Sequence, residues 1–447
     1  MENLIPEMYR EYGIYKNKRQ MFPNMLDGLL PVQKRILLTA HTIAKNKFIK
    51  TFKILGENMS RWHPHSEALG TAKWAIHNEF LDGDGQWGYN IGVEKSNCAA
   101  PRYTSLKMNN FIEEMAFKMV KSVVWEPDEA DPEPIAIPTM LPFCLMTVYE
   151  ISSIGFGFKA DIPCYKIKDL VKRLLFLLTG KNKTIIKPNP IGCNIISSAK
   201  ECEVLLTEGK GIINIQGKHK IDNKNKIISI FGWNPRQSFQ KLFERIDKYK
   251  GWELFSKGII RYTDESDQRG TQINFEVVKK RNVEETFEKM VEAVTGCIKT
   301  KLDYNIVAIA GDSMVTPSVD DMLLSTYTFY KSTLVRYTKD KINNLSKIKL
   351  ELEVIKKIRP YISEVTKKNK DVDKMCKTLA NKTKCNEELI REVVDKYKIK
   401  KLLSTSTDIK GIEDDIGKLK DELKNIKGVC FDRYKELGEM REDKQEK

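Results

Sequence analysis

A tyrosine that directly follows an arginine is the first chemical signal in this chain. Arg102 and Tyr103 lie in a loop of small residues, CAAPRYT at 98–104. A phenol with an ordinary pKa near 10 is a weak nucleophile, but an adjacent guanidinium stabilises the phenolate and the charge on an attacked phosphate. The pair therefore suits attack on a phosphate. A buried tyrosine that donates to a backbone carbonyl also fits, and the dipeptide alone favours that structural role.

The motifs of several other site classes are missing. The sequence has no GxxxxGK[ST] loop, no HExxH and no GxSxG. Its nine cysteines include no CxxC pair, and with five scattered histidines they predict no zinc cluster. The loop DGDGQW at 82–87 begins like a calcium loop, but Gln86 and Trp87 replace a ligand and the glycine. We predict a turn there, and no metal site formed by this chain alone.

The charge balance favours a polyanionic partner without proving one. The 447 residues carry 76 Lys+Arg and 61 Asp+Glu, a net charge of +15. Nucleic acid is the leading candidate, because lysine and arginine release counterions when they neutralise phosphates. A genome that uses lysine simply to keep its proteins soluble would give the same excess, so both explanations remain open.

The apolar residues are sufficient for folded domains and too dispersed for a membrane span. Hydrophobic residues make up 41% of the chain, which is enough for several cores. No apolar run approaches the roughly 20 residues that a spanning helix needs. The N-terminus lacks the basic-then-apolar layout of a signal peptide. We therefore expect a cytoplasmic or nuclear protein with no membrane contact.

The first 135 residues combine basic and aromatic residues with helical patterns. We predict helices over 32–44 and 66–80, the first beginning at Pro31. Gln33 and Lys34 are expected on the solvent face of the first helix. Its inward face is expected to contain Ile36, Leu37 and Ala40. Helices joined by turns in basic surroundings fit a winged-helix or helix-turn-helix module.

The rest of the chain changes pattern twice. Residues 136–318 alternate between strands predicted over 211–215, 226–231, 258–262 and 272–277 and helices predicted over 235–249 and 282–302. From Ser318, a helix N-cap, the chain is helical and highly charged, and Pro360 is expected to interrupt the first helix. The chain is therefore predicted to be an α+β multidomain protein.

Two stretches of the C-terminal part have the spacing of a coiled-coil seam. Their apolar residues step by three and four. They are Leu345, Ile348, Leu352 and Ile355 in the first stretch and Ile409, Ile412, Ile416, Leu419, Leu423 and Ile426 in the second. We predict that the two stretches pair antiparallel, with a small helical knob between them over 360–400.

Four motifs follow one another at short intervals in the first quarter of the chain. They are DGLLPVQKRIL at 27–37, WHPH at 62–65, DGDGQWG at 82–88 and AAPRYT at 99–104. This series resembles the breakage–reunion subunit of type IIA DNA topoisomerases, with its patterns DGLKPVxRR, YHPHG, DGQGNFG and AxxRYT in that order. The segment SSIGFGFKADIP at 152–163 resembles a further segment of the family. The resemblance covers nearly the whole chain and is strongest to the tailed-phage medium subunit. It favours a catalytic role for Tyr103 over the structural role that the dipeptide alone favours.

The resemblance implies a role for individual residues. Tyr103 would attack a DNA phosphorus to form a 5′-phosphotyrosyl link, and Arg102 would stabilise the developing charge. Ile154 matches a residue that wedges between base pairs and bends the DNA. The candidate contacts to the cleaved region and its phosphates are Lys34, Arg35, His63 and His65, with Lys50 and Lys53 added for their charge.

Four of these residues also have a purely structural alternative. A solvated helix face would explain Lys34, and a turn with satisfied hydrogen bonds would explain His63 and His65. A core strand position would explain Ile154, and the sequence alone favours that role.

The resemblance also implies an assembly. Residues 1–135 would be a winged-helix cleavage domain, 136–318 a tower domain, and 319–447 a coiled coil with an exit gate that dimerises. The homodimer would act on double-stranded DNA with a partner chain that carries ATPase and Toprim domains, in an A2B2 complex. That partner would hold Mg²⁺ and ATP, and a phage-encoded protein would work in the host cytoplasm.

Two further expectations concern activity. The sequence ends soon after the heptads, so we expect relaxation and decatenation rather than the supercoiling that gyrase achieves with a DNA-wrapping domain. The alternative to an enzyme is a non-catalytic architectural protein that binds and bends DNA and dimerises through its coiled coil. That alternative leaves the order of the four motifs unexplained.

Overall fold

The computed structural model describes residues 4–62, 68–126, 131–267, 269–278, 281–368, 371–404 and 409–440. It divides into two compact units, the first made of residues 1–330 and 431–447 and the second of residues 331–430. In this described part, no helix combines the length and apolarity that crossing a membrane requires.

The first unit begins with helices packed around a small sheet. The elements in chain order are α1 (Leu4–Lys16), α2 (Pro31–Ile43), β1 (Ile49–Lys50), α3 (Thr51–Arg61), α4 (Ala68–His77), β2 (Leu81–Asp84), β3 (Ser105–Met108) and α5 (Asn110–Ile112). Single π-helical turns, Asn17–Met21 and Glu113–Phe117, follow α1 and α5. The three strands form an antiparallel sheet in the order β1-β3-β2.

Helix α2 confirms the prediction for its inward face and corrects the one for its outward face. Ile36, Leu37 and Ala40 are fully buried, as expected. Gln33 and Lys34 are buried as well, so their predicted exposure is wrong. The Gln33 side-chain oxygen accepts from the backbone N–H of Leu30 and caps the helix. Lys34 can be buried because its ammonium donates to the backbone carbonyl of Pro134.

The remainder of the first unit is built on two larger sheets. Its elements are β4 (Trp125–Glu126), β5 (Glu133–Pro134), β6 (Ile151–Gly155), β7 (Phe158–Ile162), α6 (Ile167–Thr179), β8 (Cys193–Ile195), α7 (Ala199–Glu208), β9 (Lys210–Gly217), β10 (His219–Asp222), β11 (Ile227–Ile230), α8 (Phe239–Asp247), β12 (Ile260–Asp264), β13 (Ile273–Val277), α9 (Val283–Ile298), β14 (Lys299–Asn305), β15 (Ala308–Ala310) and β16 (Ser313–Val315). One sheet has the order β6-β7-β14-β9-β8 and the other β10-β11-β13-β12. All four strands predicted in this region are present.

Two helices of this region are shorter than predicted. Helix α8 begins at Phe239 rather than 235, because the Ser238 hydroxyl accepts from the N–H of Lys241 and caps it. Helix α9 ends at Ile298, and the chain continues as strand β14. Residues 299–302, predicted as helix, are strand because Leu302 and Tyr304 alternate with exposed neighbours and pair with β9.

The described residues of the C-terminal part are mostly helical. Its helices are α10 (Val319–Lys368), α11 (Val372–Thr383), α12 (Glu387–Ser404), α13 (Ile409–Lys424) and α14 (Ile426–Met440). Ser318 caps α10 as predicted, because its hydroxyl accepts from the N–H of Asp321 at 3.0 Å. Pro360 does not interrupt the helix, so that prediction is wrong. A proline inside a helix costs about 3 kcal/mol, and the burial of Ile358 and Ile362 on either side of it stabilises the continuous helix.

The second unit has its own apolar core. Leu352 and Ile355 of α10 are buried in it, and Ile409 and Ile412 of α13 pack against the same cluster. The Lys349 ammonium lies 2.7 Å from the carboxylate of Glu413. The two heptad stretches therefore lie side by side here, and α11 and α12 occupy the region predicted as a helical knob.

Candidate active site

The Tyr103 side chain is exposed to solvent. It is 63% exposed, at the end of a turn closed by a 2.9 Å hydrogen bond from its own N–H to the carbonyl of Ala100. The buried structural role, favoured by the dipeptide alone, is therefore wrong. The Arg102 guanidinium carbon lies 4.6 Å from the centroid of the Tyr103 ring. At this distance the cation is attracted to the ring face and stays next to the phenol.

Two buried threonines fix the loop that presents Tyr103. The hydroxyl of Thr104 donates to that of Thr51 over 2.8 Å, and both side chains are fully buried. The N–H of Thr51 donates to the Thr104 carbonyl at 3.0 Å, and that of Phe52 to the Pro101 carbonyl at 3.3 Å. The beginning of α3 is thus bonded to the chain on both sides of the arginine–tyrosine pair. Sequence reasoning missed Thr51, which has no local signal for this contact.

Gly85 allows a second segment to approach the loop. Its φ of +92° is in the left-handed region that favours glycine, and a Cβ there would lie 2.9 Å from the Tyr103 carbonyl oxygen. The backbone carbonyl of the next residue, Gln86, accepts a 2.9 Å hydrogen bond from the N–H of Ala99. Residues 82–84, predicted as part of a turn, belong instead to strand β2. Gly85 and Gln86, which follow the strand, support the Tyr103 loop.

Lys50 and Lys53 lie at the junction of this loop with α3. Lys50 pairs with Ser105 in the β1–β3 ladder, two residues after Tyr103, and Lys53 is in the first turn of α3. Both side chains are exposed. The structure thus brings two of the predicted phosphate contacts to the strand and helix that flank Arg102 and Tyr103.

Lys34 and Arg35 converge on a different group, the carboxylate of Glu133. Arg35 binds it with two hydrogen bonds of 2.9 Å, and the Lys34 ammonium lies 3.7 Å away and donates to the Pro134 carbonyl at 2.8 Å. Burial alone would raise the pKa of Glu133, but the Arg35 hydrogen bonds and the surrounding cations lower it below its ordinary value. Glu133 is a site residue that sequence reasoning missed.

Asp27, a buried carboxyl group, connects the start of α2 to this region. Its two oxygens accept from the N–H groups of Leu29 and Ile137 at 2.9 and 2.8 Å. Burial raises the pKa of Asp27 to about 6, against the opposing effect of those hydrogen bonds and of Lys34. Asp27 therefore positions the helix that carries Lys34 and Arg35.

Ile154 lies on the β6–β7 hairpin, opposite Lys159. Its side chain is 72% exposed, so the alternative of a core strand position is wrong. His63 and His65 fall outside the described residues.

The sequence is similar to known proteins along most of its length. Residues 21–443 match the family model for the A subunit of DNA gyrase/topoisomerase IV. The chain belongs to this family. Its relatives include the DNA gyrase A subunit of Helicobacter pylori, 26% identical over 79% of this chain and 44% of the relative. The DNA gyrase A subunit of Thermotoga maritima is 23% identical over 96% of this chain and 55% of the relative.

A topoisomerase relative gives a similar match. The DNA topoisomerase 4 A subunit of Staphylococcus aureus is 23% identical over 99% of this chain and 57% of the relative. The chain spans about half the length of the curated relatives it matches. Among the residues described for this family member, no three His, Cys, Asp or Glu side chains are grouped closely enough to hold a metal ion.

Proposed function

We propose that this member of the gyrase/topoisomerase IV family is the DNA-cleaving and rejoining subunit of a type IIA topoisomerase. The observation that carries the proposal is the exposed Tyr103, with Arg102 against its ring, on a loop bonded to a lysine-bearing helix. A structural tyrosine would not need that exposure, and the family match over 21–443 supports the same function.

The proposed reaction exchanges one phosphodiester for another. The Tyr103 oxygen attacks a DNA phosphorus and loses its proton, the bond from phosphorus to the 3′ oxygen breaks, and that oxygen leaves as a 3′-hydroxyl. The product is a 5′-phosphotyrosyl link, and attack by the 3′-hydroxyl reverses the step. Arg102 can stabilise both the phenolate and the charge that develops at the pentacoordinate phosphorus. No net bond energy is lost, so cleavage and rejoining need no other reactant.

The other residues would hold the DNA in place. Lys50 and Lys53 are exposed and can neutralise phosphates on either side of the cleaved bond. Lys34 and Arg35 would contact a phosphate only by exchanging it for the Glu133 carboxylate that they bind here. Ile154 would enter the base stack as an apolar wedge and bend the duplex. The roles of His63 and His65 in DNA contact stay predictions.

The proposal extends to the assembly. One Tyr103 cuts one strand, so a double-strand break requires two copies of the chain. We propose a homodimer with a winged-helix cleavage domain, a tower domain and a coiled-coil exit gate, and a partner with ATPase and Toprim domains that completes an A2B2 complex. Mg²⁺ and ATP would be held by that partner. The metal would neutralise charge at the scissile phosphate.

Tyr103→Phe tests the chemistry. Trapping with detergent in the presence of Mg²⁺ and a gyrase-B-like partner should leave the wild-type chain covalently attached to a DNA 5′ end. The variant should form no adduct and keep its salt-sensitive DNA binding. Tyr89→Phe is the matched control, because Tyr89 is also an exposed tyrosine of this region, 47% exposed, and it should cleave normally. Adducts from Tyr103→Phe would overturn the assignment.

The same experiment tests the architectural alternative. The exposure of Ile154 is the observation in its favour, because a DNA-bending protein needs a wedge as much as a topoisomerase does. A wild-type chain that bends DNA but forms no adduct with any such partner would favour that function.

A further inference from the structure

A buried side chain, Asn17, binds the tip of the hairpin that carries Ile154. Asn17 is 2% exposed and begins the π-helical turn after α1. Its Nδ2 donates to the Phe156 carbonyl at 2.9 Å, and its Oδ1 accepts from the Phe156 N–H at 2.8 Å. Nδ2 also lies 3.4 Å from the sulfur of Met314. One amide therefore satisfies both peptide groups of the residue two positions after Ile154.

The neighbouring contacts fix the same tip. A Cβ at position 155 would overlap Asn17 Oδ1 and the Phe22 ring, so only glycine fits there. The Phe156 ring meets Tyr9 and Tyr12 of α1 edge to face, with centroids 5.8 and 6.0 Å apart. The tip is thus bonded and packed against α1 and the turn that follows it.

The strand alternation turns Ile154 away from this contact. Successive residues of a strand point to opposite faces, so Gly155 faces Asn17 while Ile154 faces solvent. Fixing one face of the hairpin therefore leaves the isoleucine projecting from the other. An apolar wedge can unstack base pairs only if its own backbone does not yield, because bending and unstacking the duplex both oppose it.

We infer that Asn17 is a positioning residue for Ile154, which locks the hairpin so that the isoleucine can bend DNA. The inference rests on the wedge role of Ile154 in the proposed function. It predicts that loss of the Asn17 amide lowers the bent fraction of bound DNA and leaves binding itself nearly unchanged, because phosphate contacts elsewhere supply the affinity. A merely structural role would not separate these two quantities.

Asn17→Leu in the full chain is the test, with Asn194→Leu as the control at an exposed asparagine of β8. Fluorescence energy transfer between the ends of a duplex of about 30 base pairs measures the bend, and anisotropy measures binding. Two backbone hydrogen bonds are lost, so we expect the bent-to-unbent ratio to fall about tenfold, with a change in affinity below about threefold. Asn17→Ser removes the same pair of bonds and replaces the leucine variant if that does not fold.

Ile154→Ala and the double variant separate the inference from the function on which it rests. If Asn17 acts through Ile154, Asn17→Leu adds no further loss of bending when Ile154 is already alanine. If Asn17→Leu bends DNA normally and Ile154→Ala does not, the inference is overturned and the wedge role stands. The same holds if Asn17→Leu lowers bending equally in the wild type and in Ile154→Ala. Normal bending by Ile154→Ala would overturn the wedge role itself, and the positioning role with it.

Discussion

At the scale of single residues, the exposure of a side chain decides between chemistry and structure. Tyr103 and Ile154 are both residue types that usually contribute to cores, and both are more than half exposed. Lys34 shows the reverse, because its ammonium is buried against a carbonyl and a carboxylate. Among the lysines predicted to contact DNA, Lys50 and Lys53 next to Tyr103 are therefore available without a rearrangement, and Lys34 is not.

The buried Asp27 predicts a pH dependence of stability. Its pKa rises from 3.8 to about 6 on folding, so the folded chain binds the proton more tightly than the unfolded chain. The stabilisation is full below pH 3.8 and is lost as the pH rises through 6. Between pH 4.5 and 7.5 the wild type should lose about 2 kcal/mol of unfolding free energy relative to Asp27→Asn. Urea titrations of both proteins at each pH would measure this.

The test is whether the difference in unfolding free energy between the wild type and Asp27→Asn changes with pH. Asp27→Asn lowers stability at every pH, because an amide cannot accept from both Leu29 and Ile137. A difference between the two proteins that does not change with pH would contradict the raised pKa.

Sequence reasoning finds residues that have a local signal and misses those whose partners are distant. Arg102 and Tyr103 are adjacent in the chain, so their pairing was predictable. Asp27 and Asn17 gain their roles from Ile137 and Phe156, more than 100 positions further along. No periodicity in the sequence records such a contact.

At the scale of elements, local patterns predicted four strands correctly, but they predicted neither the other strands of the same sheets nor the residues where helices end. Four of the nine strands in the two larger sheets, β9, β11, β12 and β13, were predicted from the pattern of their apolar residues. The end of α9 and the continuity of α10 at Pro360 depend instead on tertiary packing, on the pairing of β14 with β9 and on the buried residues around the proline. Helix boundaries of this kind are set by neighbours that are distant in sequence.

A single methyl group added at Gly85, in the loop after β2, should impair catalysis. Gly85→Ala would place its Cβ 2.9 Å from the Tyr103 carbonyl oxygen and strain a backbone with φ of +92°. Displacing a nucleophile by about 1 Å costs on the order of 100-fold in rate, so we expect a drop of that size in trapped DNA adducts.

Gly258→Ala is the matched control for backbone strain. Its φ of +63° is also left-handed, but a Cβ there has no atom within 4 Å. Both variants should lose about 1 kcal/mol of stability, and only Gly85→Ala should lose cleavage. Equal cleavage by the two variants would mean that the turn at Gly85 does not position Tyr103.

At the scale of the whole molecule, the net charge of +15 is divided between two kinds of surface. Lys418 and Lys424 of α13 lie 3.8 and 3.0 Å from Asp415 and Asp421, in exposed pairs one turn apart. Exposed pairs of this kind contribute little energy and leave little net field. Lys50 and Lys53 belong instead to the surface around Tyr103. Lysines paired as in α13 therefore add little to an attraction for DNA, whereas Lys50 and Lys53 can contribute to it.

The salt dependence of DNA binding should separate these surfaces. Each phosphate contact that is lost reduces the slope of log affinity against log salt by about 1. Anisotropy titrations between about 50 and 200 mM salt should therefore give slopes lower by about 1 for Lys50→Ala and for Lys53→Ala, and an unchanged slope for Lys418→Ala. If Lys418→Ala lowered the slope as much as the other two, DNA would respond to the charge of the whole molecule. The proposed contact surface beside Tyr103 would then lose its support.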